Sequence, residues 1–327
     1  MKRNAVVLLL LVCIVGFGFA AGQSESSKSP AEVAGTVNLY TPHGSEITDP
    51  ILDAFRAKYP NVKVQIVTSG TGELLARLEA EKNNPSADVM WGGDTTSFDS
   101  YQALFASYES PEDAAMQSVD PNHKWHPFAV LCQPILVNTD LLKEDQYPAT
   151  IKELVELQWK SGKAIALSDP NKSGTGYTIV SGLVNAYGWD FVKELVEKSV
   201  VMPSSDSMFK AVKDGELPAG FINEDLGAKW EAEGLPVKMI YATDAVTVQM
   251  DAVALVKDGP NPELGKLLLD FICSADSHKI AVEKISRRSA RKDVDPPSFL
   301  PALGDLKLYA ANEPRQIVNA KFDSLLK

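Results

Sequence analysis

Apolar residues along this chain switch repeatedly between two periods: a short run or alternation, a polar turn, then apolar positions three or four apart. Alternation marks a strand and the longer period marks the buried stripe of a helix. Thr36–Tyr40 (TVNLY) alternates, Thr41–Glu46 is a Pro/Gly loop, and Ile51, Leu52, Phe55 and Tyr59 form a stripe that stops before Pro60. Val62–Thr68, the turn Ser69-Gly70-Thr71-Gly72 and the stripe Leu74, Leu75, Leu78 repeat the unit, and Ala87–Trp91 runs as a third strand into Gly92-Gly93-Asp94. The clearest instance is Ala164–Gly188. There a short apolar run delivers Ser173-Gly174-Thr175-Gly176 to a helix with Tyr177, Val180, Leu183, Val184 and Tyr187 on one face.

Further units follow the same order. Leu154–Trp159 and Trp189–Val201 flank that stretch, and a short helix through Met208 and Val212 leads to strand Ala219–Ile222 and the charged turn Asn223-Glu224-Asp225. Val237–Tyr241 is a strand, Leu264–Ser274 and His278–Ile285 are the closing helices, and the basic cluster Arg287, Arg288, Arg291 comes after them. The expected fold class is α/β, sheets covered by helices, with ligands held where loops leave the carboxyl ends of strands. Two β-rich runs exceed what one strand needs: His126–Asn138, broken by Pro134, and Val246–Val256. They read as two crossings between lobes, which makes the first lobe discontinuous and lets the pair hinge on a ligand.

The Ser-Gly-Thr-Gly turn carries the most chemistry. Its glycines allow close backbone approach, and its hydroxyls stand beside unpaired helix N–H groups, an arrangement that attracts anions. Ser173 or Thr175 acting only as a helix cap is the competing reading.

The 327-residue length agrees with two lobes, and the formal charge of −11 argues against nucleic-acid binding and a basic membrane face. Lys2 and Arg3 precede the apolar run Ala5–Phe19 and the small residues Ala20-Ala21-Gly22, so residues 1–22 are expected to be a cleaved signal peptide. The run is shorter than the ~20 apolar residues of a spanning helix, and Cys13 lies within the run, without the small residues that lead up to a lipid-attachment cysteine. Residues 23–35, rich in Ser, Glu and Lys, read as a flexible tether. No Cys/His spacing marks a metal site, the histidines at 43, 123, 126 and 278 are scattered, and no cofactor is expected. Cys132 and Cys273 sit in apolar stretches, as buried thiols or as a pair. Nucleophile-elbow, zinc-helix, phosphate-loop and dinucleotide motifs are absent. An exported hydrolase using His43 and Asp225 across a cleft is the rival class.

The signal peptide, VNLYTPHGSEITDPILDAFRAKYPNVKV, PSADVMWGGD, SDPNKSGTGYT and RRSARKDV together resemble the extracellular solute-binding proteins of bacterial ABC importers. The resemblance is strongest to the branch that binds ferric ion, phosphate esters or phosphonates. It implies a two-lobe periplasmic binding protein fold with two hinge-crossing strands, monomeric and without catalysis, passing a small anionic solute to an inner-membrane ABC permease. It places residues 36–125 with 247–327 in lobe 1 and residues 126–246 in lobe 2. The iron-binding members use a histidine in the first loop and two adjacent tyrosines later. This chain has Gly44 at the first position, with His43 one residue early, and Asn223-Glu224-Asp225-Leu226 at the second. Fe(III) prefers anionic oxygen donors, so iron is the alternative and a phosphate ester or phosphonate the expected ligand. Ser173, Gly174 and Thr175 are then expected to receive the phosphate, while Asn223, Glu224, Asp225 and Asp244 hold hydroxyls or an amine. Strand ends add Thr41, His43, Ser69, Thr71, Asp94 and Thr95, and Arg288, beside Arg287, is a bidentate phosphate partner.

Overall fold

Twelve strands and eleven helices alternate through the residues that the computed structural model describes, 29–160 and 162–327. The expected signal peptide and residues 23–28 of the tether lie outside them, and the tether ends early because a strand already begins at Ala34. The first part runs β1 (Ala34–Thr41), α1 (Ser45–Lys58), β2 (Asn61–Thr68), α2 (Thr71–Glu81), β3 (Val89–Asp94), α3 (Thr95–Ser100) and β4 (His126–Gln133). The middle part is β5 (Ile135–Asn138), α4 (Ile151–Glu156), β6 (Ile165–Ser168), α5 (Gly174–Tyr187), α6 (Trp189–Glu197), β7 (Ser199–Met202), α7 (Ser205–Lys213), β8 (Ala219–Phe221), α8 (Glu224–Ala232) and β9 (Val237–Ile240). The chain closes with β10 (Val246–Leu255), α9 (Pro262–Cys273), α10 (Ala275–Ile285), β11 (Arg288–Ser289), β12 (Leu308–Ala310) and α11 (Arg315–Leu325).

Two sheets result. The first has strand order β11-β4-β10-β3-β1-β2, with β12 added to β10, and the second β7-β6-β8-β5-β9. β1 lies parallel to β2 and β3, while β10 is antiparallel to β3 and β4. Pro134, which cannot donate to a ladder, separates β4 in the first sheet from β5 in the second. The expected lobe boundary at His126 therefore moves to Pro134, and the return passes through residues 241–245 between β9 and β10. The first core gathers Leu39, Phe55, Trp91, Phe128 and Leu268, the second Leu136, Ile165, Leu183, Met208 and Phe221. Val318 and Phe322 of α11 are fully buried in the second core. The C-terminal helix thus departs from the expected assignment of residues 247–327 to lobe 1. After β12 the chain passes back and lays the helix's apolar face on the other lobe.

Cys132 and Cys273 are buried free thiols, and burial pushes both well up from the ordinary thiol range. His278, fully buried, meets Ser289 Oγ through Nδ1 at 2.8 Å. Burial, with Arg291 adding to it, drives its pKa down from 6.5 to about 3. Between those values the unfolded chain binds a proton that the folded protein refuses, so stability must fall as pH drops below 6.5. The expected slope from this group approaches about 1.4 kcal/mol per pH unit. Thermal melts at stepped pH should show a flatter acid limb for His278→Gln than for the parent protein.

Candidate functional site

Between the sheets lies a cleft of about 740 Å³, and five helices begin on its wall: α1 at Gly44 and Glu46, α2 at Gly70 and Thr71, α5 at Ser173–Thr175, α7 at Ser204 and Ser205, and α8 at Asn223 and Asp225. Each helix start leaves backbone N–H groups without intrahelical partners and carries partial positive charge. Local capping satisfies some of them. Ser173 Oγ accepts the Gly176 N–H at 3.0 Å, and Ser204 Oγ accepts the Ser207 N–H at 3.1 Å. The N–H groups of Gly174 and Thr175 have no hydrogen-bond partner among the described residues. No side chain caps α1, α2 or α8. The helix cap expected from the sequence is present, and the same turn leaves two N–H groups without partners among the described residues.

A buried ionic network on the same cleft spans the two lobes. Arg287 donates from Nε to Asp225 Oδ2 at 2.7 Å and from Nη1 to Asp251 Oδ2 at 3.3 Å. Asp251 also meets His43 Nε2 at 2.9 Å and accepts the Gly93 N–H at 2.8 Å. The second oxygen of Asp225 and Oδ1 of Asn223 are buried and unpartnered among the described residues. Such acceptors are costly unless a donor reaches them.

The structure brings together Ser173, Gly174, Thr175, Asn223, Asp225, His43, Ser69 and Thr71 on this one cleft. The other expected site residues stand elsewhere. Glu224 points behind the wall, where Arg288 binds it through Nε at 2.7 Å and Nη2 at 3.0 Å, and Tyr241 and the Cys132 N–H complete its shell. Both Glu224 and Arg288 are consumed by that pair. Asp244 accepts the Ile151 and Lys152 N–H groups at the start of α4; burial opposes its ionisation, but these donors outweigh it and hold it below the ordinary carboxylate range. Asp94 caps α3 through the Ser97 N–H, Thr95 begins that helix off the cleft wall, and buried Thr41 accepts the His43 N–H. Gln249 and Asp251 of β10, with Ser204 and Ser205 of α7, line the cleft without having been expected. The one charged residue of β10 was the available signal for Asp251.

Comparison with known proteins fits this geometry. The family described as "Bacterial extracellular solute-binding protein" matches residues 51–307. A Sinorhizobium fredii protein named "Probable ABC transporter periplasmic-binding protein y4fP" is 26% identical over 276 residues, covering 80% of this chain and 76% of the relative. Among solved structures, the periplasmic binding protein AfuA of Actinobacillus pleuropneumoniae, with exogenous fructose-6-phosphate bound, superposes with a TM-score of 0.79 at 22% identity over 90% of this chain and 97% of that one. Iron-bound HitA of Pseudomonas aeruginosa gives 0.71 at 20% identity over 89% and 97%. At these identities the two structures establish the two-lobe fold, and the family match establishes kinship. The chain belongs to the bacterial extracellular solute-binding proteins, as the solute-binding component of an ABC importer.

Proposed function

We propose that this protein, exported to the periplasm by a cleaved signal peptide, captures a small organophosphate or phosphonate in the cleft and delivers it to an inner-membrane permease. A sugar phosphate is the preferred ligand. The observation that carries the reading is the pair of free N–H groups at Gly174 and Thr175, placed beside the starts of α2 and α7. Each hydrogen bond to an ionised phosphate oxygen contributes ~1.5–3 kcal/mol. Asp225 and Asn223 supply unpartnered acceptors for the hydroxyls or amine of the same ligand. A cleft of about 740 Å³ suits an organic molecule rather than a bare ion, and the wall carries no tyrosine among the described residues. The two lobes hinge at Pro134 and at residues 241–245. The ligand is held and released without chemical change.

A thermal-shift panel tests this. Glucose 6-phosphate and 2-aminoethylphosphonate are expected to raise the melting midpoint, ligand at about 100 times Kd stabilising by about 2.7 kcal/mol. Glucose and ferric citrate are expected to leave it unchanged. A rise with ferric citrate alone, accompanied by colour, would replace this reading with iron carriage.

A further inference from the structure

On one side of the cleft the lobes touch along a seam. The Gly72 N–H donates to the Lys172 carbonyl at 3.3 Å. A β-carbon on Gly70 would lie 2.5 Å from the Lys172 oxygen, and one on Gly174 would lie 2.8 Å from Thr71 Oγ1, so the starts of α2 and α5 meet closely. Arg315 closes this seam from behind. Its helix is anchored in the second core by Val318 and Phe322, and the residue is 2% exposed. Nη2 donates to the carbonyls of Pro170 at 2.7 Å and Ser173 at 3.1 Å, which fixes the loop that leads into the anion turn. Nη1 donates to Ser97 Oγ of the first lobe at 3.0 Å. The guanidinium carbon lies 5.0 Å from the centre of the Tyr177 ring. Arg315 does not line the cleft.

Two helix N-termini of like sign meet at this seam, and the N–H groups of Gly174 and Thr175 have no acceptor among the described residues. The guanidinium is itself balanced: Asp94, 3.8 Å from Nη1, also accepts the N–H and the hydroxyl of Ser97, and Asp169 acts on it from the loop. Separation of the lobes lets water supply the missing acceptors. An anion at Ser173–Thr175 supplies them with the lobes together.

We infer that Arg315 is a positioning residue: a latch that pins the anion turn to the first lobe and makes closure of the cleft depend on a bound anion. The inference rests on the cleft being an anion site. Its signature is kinetic, because a group outside the cleft that acts only on the closed state changes ligand release and not capture.

The test uses the mature chain with glucose 6-phosphate as probe, following association and dissociation by stopped flow and lobe closure by X-ray scattering. Arg315→Met is expected to raise the dissociation rate at least tenfold, to leave the association rate unchanged, and to reduce contraction at saturating ester. Ser97→Ala removes the first-lobe acceptor together with the hydroxyl donor to Asp94, but leaves Arg315 its two carbonyl partners and Asp94 the backbone N–H of residue 97, so the variant folds while release speeds up several-fold. If the parent protein binds the ester and contracts, and both variants release and contract as it does, the latch is wrong while the anion reading stands. If the parent itself neither binds nor contracts, the anion reading fails and the anion-dependent latch falls with it.

Discussion

Arg287→Met is expected to destabilise the protein by about 3–5 kcal/mol and to abolish ligand binding, the magnitude seen when one partner of a buried ion pair is removed. Arg287 is 1% exposed and bridges Asp225 and Asp251, which come from different lobes and are 4% and 0% exposed. Without the guanidinium, Asp225 loses the only partner that its Oδ2 has among the described residues, where Oδ1 has none already. Asp251 retains His43 and the Gly93 N–H, so the damage concentrates on the second lobe's wall. Arg287→Lys keeps the charge but not the fork that reaches two carboxylates, and its expected loss is smaller than that of methionine. Denaturant unfolding reads the stability change, and titration at a temperature where the variant is folded reads binding.

Gly72→Ala separates closure from folding. In the isolated first lobe an alanine near the start of α2 favours the helix, since glycine costs about 1 kcal/mol relative to alanine in a helix interior. In the closed arrangement its β-carbon would run into the carbonyl oxygen of Asn171, backbone that cannot turn aside. The expected result is a variant whose ligand-free melting midpoint is unchanged or raised, whose affinity for a phosphate ester falls at least tenfold, and whose scattering profile does not contract with ligand. Normal contraction would show that the seam is not formed in the bound protein.

The fold was largely legible in the sequence because its signals are local. Alternation in Thr36–Tyr40, the stripe through Ile51 and Phe55, and the Ser173–Gly176 turn before a helix each depend on neighbouring residues, and each became the expected element. α11 also had a local signal in Val318 and Phe322, four apart, but nothing local says which lobe that stripe covers. The site was legible where a helix begins and illegible where partners arrive from far along the chain. Glu224 and Asp225 are adjacent in one turn, yet successive helical positions point about 100° apart. Asp225 reaches the cleft and Glu224 turns back to Arg288, a partner 64 residues away. Asp244 likewise serves a helix start 93 residues before it. Asp251 lies midway along a strand, and the pairing of β10 with β3 and β4 brings it beside His43 and Arg287.

Calorimetric titration of the mature chain with glucose 6-phosphate, glucose and ferric citrate in parallel tests most directly whether the helix starts around Ser173 hold an organic anion. The predicted result is one ester bound per chain with micromolar or tighter affinity, weakening as salt is raised, and no heat from glucose. Heat from ferric citrate with a silent ester, or equal heats from glucose and its phosphate, would contradict it.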